Sequence, residues 1–237
     1  MKQEVRTGPF ILAIETATSI GSVAVMDRDQ LLAVMEVRKD RTHAKLIAPM
    51  IQTILSDLEL SMDQLSAVAV SAGPGSYTGL RVGVSTAKGL CMAQDLPLIS
   101  VGSLELLASG VQDLAKQLDA WICPMLDARR MEVYAAVFDS EMNPQQEVKP
   151  VIMEAGTLDE LLADRKIIFV GDGVQKCIPL LKEHPNAILL PKQLSSAADM
   201  AMPAWEKFEQ KAFEDLVAYE PFYLKSFVAT KSKKKFF

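Results

Sequence analysis

The apolar positions near the start of the chain fall into three short runs. Phe10–Thr16 (FILAIET) is nearly continuous and closes on an acid and a hydroxyl. Gly21–Asp27 alternates, with Val23 and Val25 on one face, and Leu31–Val37 is apolar again. Three such runs joined by tight turns predict a β-meander. The period then changes. Leu46, Ile47, Met50, Ile51, Ile54, Leu55 and Leu58 form two adjacent rows, a broad stripe on a helix spanning 43–58. Thr42 suits its N-cap, and Pro49 predicts a kink or a late start. Ala67–Val70 reads as a buried strand running into Ser71–Gly79, a loop rich in glycine and hydroxyls. A helix over 79–93 follows, with Gly79, Gly83 and Ala87 on one stripe, then a strand over 96–101.

The second half repeats this grammar more faintly. Trp121–Leu126 and Met131–Phe138 predict strands around the turn Asp127-Ala128-Arg129-Arg130, and Asp139–Lys149 reads as a polar connection. A short helix capped by Thr157, a strand over 166–170 and a helix after Gly171-Asp172-Gly173 follow. A strand over 188–190 and a helix capped by Ser195 or Ser196, running toward Phe213, complete the pattern. The chain is α/β with two related halves.

Of its 237 residues, 49% are hydrophobic and 23% charged, which excludes wholesale disorder. The 25 Lys and Arg against 30 Asp and Glu give −5. Lys225, Lys231, Lys233, Lys234 and Lys235 crowd the tail without an acid, so the remainder carries 20 basic against 30 acidic residues and should repel bare nucleic acid. The tail reads as a solvated end. Cys91, Cys123, Cys177, His43 and His184 show no metal-ligand spacing, so no metal site is expected. Three scattered cysteines suit reducing cytoplasm rather than a disulfide framework. The polar start does not resemble a signal peptide, and no apolar stretch is long enough for a membrane span.

The glycine loop fails the common nucleotide signatures. Gly73 and Gly79 enclose five residues, and Leu80 stands where a Walker lysine would be. Gly83-Val84-Ser85-Thr86-Ala87 lacks the final glycine of a nucleophile elbow. Two readings of the turn at Glu15 and Thr16 stay open: a polar cap on a core strand, or a holder for a phosphate and its metal. Gly73, Gly75, Ser76 and Gly79 are open to the same pair, a sharp turn or an anion cradle before a helix. Asp127, Arg129 and Arg130 form either a solvated tip or a dock for an anion or partner.

Taken together, Ile11–Val25, Thr42–Pro49, Ser71–Leu90, Met125–Phe138 and Phe169–Gly173 resemble the TsaB (YeaZ) family over roughly residues 10–224. The resemblance implies a two-lobed fold of the actin, Hsp70 and sugar-kinase type. The lobes would span 1–108 and 109–224, with the helix near 196–220 packing back on the first and 225–237 as a basic tail. It also implies a part in making threonylcarbamoyladenosine in tRNAs that read ANN codons. The family's catalytic relative, TsaD, carries P-L-I-x-V-N-H-L-E-G-H after a similar loop, its two histidines binding metal. Here that stretch is Pro97–Leu107, with Ser103 and Leu107 at the histidine positions. Leu107 cannot ligate a metal, and serine rarely does.

The resemblance therefore implies a non-catalytic subunit without a cofactor of its own, ATP and magnesium entering only within a complex. Its implied partners are TsaD and the ATPase TsaE, with a homodimer when alone and tRNA reached through the others. His43, Leu46, Met50, Gly79, Arg81, Gly83 and Ala87 are the expected interface residues. The rival expectation is a phosphotransferase or nucleotide hydrolase of the same fold using Glu15 and the 73–79 loop; a peptidase has no nucleophile–base pair behind it.

Overall fold

The computed structural model describes residues 8–28, 30–38 and 43–225, with the backbone alone for His43. Thr42 and the lysines beyond Lys225 lie outside the described residues.

The predicted meander forms: β1 (Phe10–Glu15), β2 (Ile20–Met26) and β3 (Leu31–Arg38) pair antiparallel. Helix α1 (His43–Asp57) leads to β4 (Leu65–Gly73), parallel to β1. Helix α2 (Tyr77–Gln94) leads to β5 (Leu98–Gly102), parallel to β4. The sheet order is β3-β2-β1-β4-β5. After α3 (Ser103–Ser109) and α4 (Gln112–Leu118), the plan repeats. The second meander is β6 (Ala120–Asp127), β7 (Glu132–Phe138) and β8 (Pro144–Ile152). Then come α5 (Asp159–Leu162), β9 (Lys166–Val170), α6 (Val174–Leu181) and β10 (Ala187–Leu190). The order β10-β9-β6-β7-β8 mirrors the first sheet strand for strand. The result is the duplicated two-lobed arrangement of the actin, Hsp70 and sugar-kinase type.

Both faces of each sheet are covered, which explains why β1 reads as continuous apolar sequence. Phe10, Leu12 and Ile14 face α1 and α2, while Ile11 and Ala13 face the return of the chain after β10. That return is a 3-10 turn (Ala197–Met200) and α7 (Ala201–Glu209). Helix α3 is shared between lobes. Leu106 joins the core of the first lobe, whereas Leu104, Leu107 and Ala108 pack with Ile122 and Ile168 of the second.

Four expectations need correcting. The stretch after Val101, left without an element by its pattern, holds α3 and α4; seven residues each are too few to display a helical period. Most of Asp139–Lys149 is not a loop but belongs to β8, an edge strand polar because both its faces are largely exposed. Helix α1 starts at His43, six residues before Pro49, so there is no late start. The last helix stops at Glu209 rather than continuing toward Phe213, and residues 210–225 cross the molecule as an irregular strap.

The stripe of small residues on α2 serves close packing within its own lobe. A Cβ on Gly79 or Gly83 would overlap Thr16, at its carbonyl oxygen and hydroxyl respectively, whereas Gly89 has nothing within 4 Å. One substitution should therefore have opposite signs at two positions of one helix. Gly83→Ala is expected to destabilise the chain by about 2–3 kcal/mol through overpacking and loss of the Thr16 contact. Gly89→Ala is expected to stabilise it by about 1 kcal/mol through helix propensity. Urea unfolding of the two variants checks both signs.

A candidate site between the lobes

A cleft of about 1180 Å³ separates the lobes. The first lobe contributes the β1–β2 turn and the loop Pro74–Gly79. The second contributes the β6–β7 turn and Asp172, and the strap closes one side with Phe222–Lys225.

The backbone of the glycine loop is largely occupied by its own lobe. Ser76 N–H donates to Ala17 O at 2.7 Å, Gly79 N–H to the Ser76 hydroxyl at 3.2 Å, and Leu80 N–H to Ser76 O at 2.8 Å. Thr16 Oγ1 donates to Gly79 O at 2.8 Å. The loop is thus stitched to the β1–β2 turn, with glycines at 75 and 79 because Ala17 and Thr16 lie where a Cβ would be. Gly73, at φ +108°, takes a conformation that favours glycine. The N–H groups of Ser76, Gly79 and Leu80 are thus taken up within the lobe.

Glu15 does not line the cleft. It points to the opposite face of β1 and is fully buried. One carboxyl oxygen accepts Ala17 N–H at 2.5 Å, and the hydroxyls of Ser71 and Ser195 stand beside the carboxyl; the buried Ser103 hydroxyl has no partner among the described residues. Burial pushes the Glu15 carboxyl up to about 7, against the pull of Ala17 N–H and Ser71, with nearby Asp199 adding to the rise. Asp199 itself is pushed up to about 6, again chiefly by burial. Of the phosphate candidates, Glu15, Thr16 and Gly73 do not line the cleft, whereas Gly75, Ser76 and Gly79 do.

The second-lobe turn is built differently. Asp127 accepts Arg129 N–H at 2.7 Å and pairs with Lys176 at 2.5 Å, while Asp127 N–H donates to Asp172 at 2.9 Å. These partners hold the Asp127 carboxyl below its usual range against the opposing effect of desolvation, whereas Asp172 is raised by desolvation first and by the Asp127 charge. The scaffold fixes Arg129 at φ 72° and Arg130 at φ 49°, two consecutive non-glycine residues in the left-handed region. Both are exposed and line the cleft, and neither forms an ion pair among the described residues.

Ser103 opens α3 and is fully buried; Leu107 is 1% exposed, against Gly171 in the second lobe's core. The two positions that the resemblance sets against metal-binding histidines, 103 and 107, are thus buried in the packing between lobes. Most of the expected interface residues also turn inward. Met50, Gly79, Gly83 and Ala87 are buried and Leu46 is half-buried, leaving Arg81 exposed. They cannot form the centre of an interface, because α1 and α2 direct this face at their own sheet and at Thr16. Phe222, Tyr223 and Lys225 are cleft residues that the sequence pattern did not reveal. The signal was present as Tyr219, Phe222 and Tyr223 around Pro221, a helix breaker among apolar residues.

A family profile described as "TsaD: tRNA N6-adenosine threonylcarbamoyltransferase" matches residues 36–230. The tRNA threonylcarbamoyladenosine biosynthesis protein TsaB of Escherichia coli (strain K12) is 33% identical over 233 residues, 93% of this chain and 96% of that protein. Its counterpart in Bacillus subtilis (strain 168) is 34% identical over 164 residues, 68% and 70% of the two chains. The solved structure of YeaZ from Pseudomonas aeruginosa shares the fold at a TM-score of 0.77, with 24% identity, covering 91% of this chain and 99% of that one. Fold and relatives define a two-lobed protein of tRNA modification. The chain belongs to the TsaB family of tRNA threonylcarbamoyladenosine biosynthesis proteins.

The Glu15 environment makes a pH-dependent prediction. A carboxyl that titrates near 7 when folded and near 4.5 when unfolded binds its proton more tightly in the fold. Stability is therefore highest at low pH in this respect and falls as pH rises from 4.5 through 7, by roughly 3 kcal/mol. Glu15→Gln should leave stability at pH 5 nearly unchanged and raise it at pH 8, leaving the smaller slope from Asp199. Unfolding curves of the two chains that stay parallel across this range would refute the assignment.

Proposed function

We propose that the chain is a non-catalytic subunit that pairs with TsaD, with TsaE joining the assembly, and reaches tRNA through these partners in the cytoplasm. The observation that carries this reading is the conversion of chemistry into packing at matching positions. Leu107 fills a core at a position that the resemblance sets against a metal-binding histidine of TsaD, and the glycine loop bonds its own neighbouring turn. Among the described residues no group of acids, cysteines or histidines is arranged to hold a metal, and no helix is long and apolar enough to cross a membrane.

The pairing surface is the outer row of α2: Ser85, Gly89 and Met92. Ser85 and Gly89 are exposed, and Met92 is 72% exposed. Gly89 has no neighbour that requires it, yet glycine inside a helix costs about 1 kcal/mol relative to alanine. A close approach from outside accounts for it. Without TsaD the same row pairs two copies of this chain.

Reconstitution of threonylcarbamoyladenosine synthesis with and without this chain tests the function. Product is expected only when it is present, and undiminished product in its absence overturns the proposal. Gly89→Arg is expected to sediment as a monomer where the native chain is a dimer and to lose TsaD in co-purification; Met50→Asp is no substitute, since Met50 is core. Calorimetry of the isolated chain with ATP and magnesium is expected to give no micromolar binding. A micromolar heat would instead favour the nucleotide enzyme.

A further inference from the structure

The strap after α7 divides into two parts with different anchors. Its proximal part is held by the first lobe's core. Leu216 and Tyr219 pack against the cluster under α1 and α2, and Glu214 N–H donates to Leu98 O at 2.9 Å. Lys88 reaches Val217 O at 3.3 Å and Tyr219 O at 3.0 Å. The distal part, 222–225, has no such apolar anchor. Phe222 N–H donates to Ala72 O at 2.7 Å, and the Phe222 carbonyl lies 2.5 Å from where a Cβ on Gly73 would stand. Glycine at 73 thus makes room for the strap. Arg81 Nε donates to the Tyr223 hydroxyl at 3.3 Å, and the Tyr223 ring stands 5.0 Å from that of Tyr77. The chain then crosses the cleft, where Lys225 pairs with Glu132 of β7 and lies 6.0 Å from the Tyr134 ring.

We propose that residues 222–225 are a clasp that sets the opening of the cleft by tying α2 to β7 through Tyr223 and Lys225. The clasp joins the lobes on the cleft side, whereas α3 joins them through its packing in both cores. Its side-chain contacts are polar or aromatic and partly solvated, with the Lys225 and Glu132 side chains 43% and 24% exposed, so it can release while the proximal part stays docked. Release frees Tyr77 and Arg81 on the first turns of α2 and widens the cleft. The Lys225–Glu132 pair makes the clasp weaker in high salt.

Distance measurement between spin labels on the two lobes tests this in the full chain. Cys91, Cys123 and Cys177 are buried, so labels at Thr53→Cys on α1 and Gln146→Cys on β8, both exposed, can be attached selectively. The native chain is expected to show one narrow distribution. Tyr223→Ala and Lys225→Glu should shift it to longer distances and broaden it, as should high salt on the native chain. The charge-swapped chain, Glu132→Lys with Lys225→Glu, should return to the native distribution. Unchanged distances in the single variants overturn the clasp. A swapped chain that stays as open as Lys225→Glu overturns it equally, because the effect would then not run through this pair.

Discussion

Seven residues hold the two halves of this molecule in register. Helix α3 offers Leu106 to the first lobe and Leu104, Leu107 and Ala108 to the second, so both cores close on the same short element. Residues three and four apart share a helix face, and here two such faces are apolar at once. Neither sheet can bury its inner face without α3, and the hinge between lobes is a packed core rather than a flexible linker. A side chain at 103 or 107 that turned outward to ligate a metal would have to leave a core that has no other filling.

The same logic governs the first lobe's loop. Two segments far apart in sequence, the β1–β2 turn and the start of α2, approach until glycine is the only residue that fits between them. Thr16 then bonds Gly79 O, and Ala17 O takes Ser76 N–H. A loop with the composition of an anion cradle has become a rivet. Glycine content alone does not distinguish the two uses, because close approach of a phosphate and close approach of a neighbouring backbone demand the same missing Cβ.

Much of the fold was legible in the chain. The first meander, the β6–β7 hairpin and the helices α1 and α2 announce themselves through periods long enough to read, and the second lobe follows the first more faintly. What escaped was short or depended on remote contacts. Helices α3 and α4 have too few turns to show a period. Strand β8 is polar on both faces because it lies at an edge. The candidate site was less legible. Glu15 could be singled out as unusual from its place at the end of an apolar run, but its facing away from the cleft follows from strand alternation against Ser22 and Ser71. The inward turn of Met50 and Gly83 was equally invisible, since an apolar stripe looks the same whether its own lobe or a partner covers it.

The strap has a consequence unrelated to the cleft. Strand β5 is the edge of the first sheet beyond β4, and an edge strand offers its free carbonyls to any passing extended chain. Here Leu98 O receives Glu214 N–H and Ser100 O receives Lys207 Nζ at 2.8 Å. The carbonyls that would seed strand addition are capped by α7 and by the segment that follows it. This edge is thus shielded from strand addition by residues that add no strand of their own.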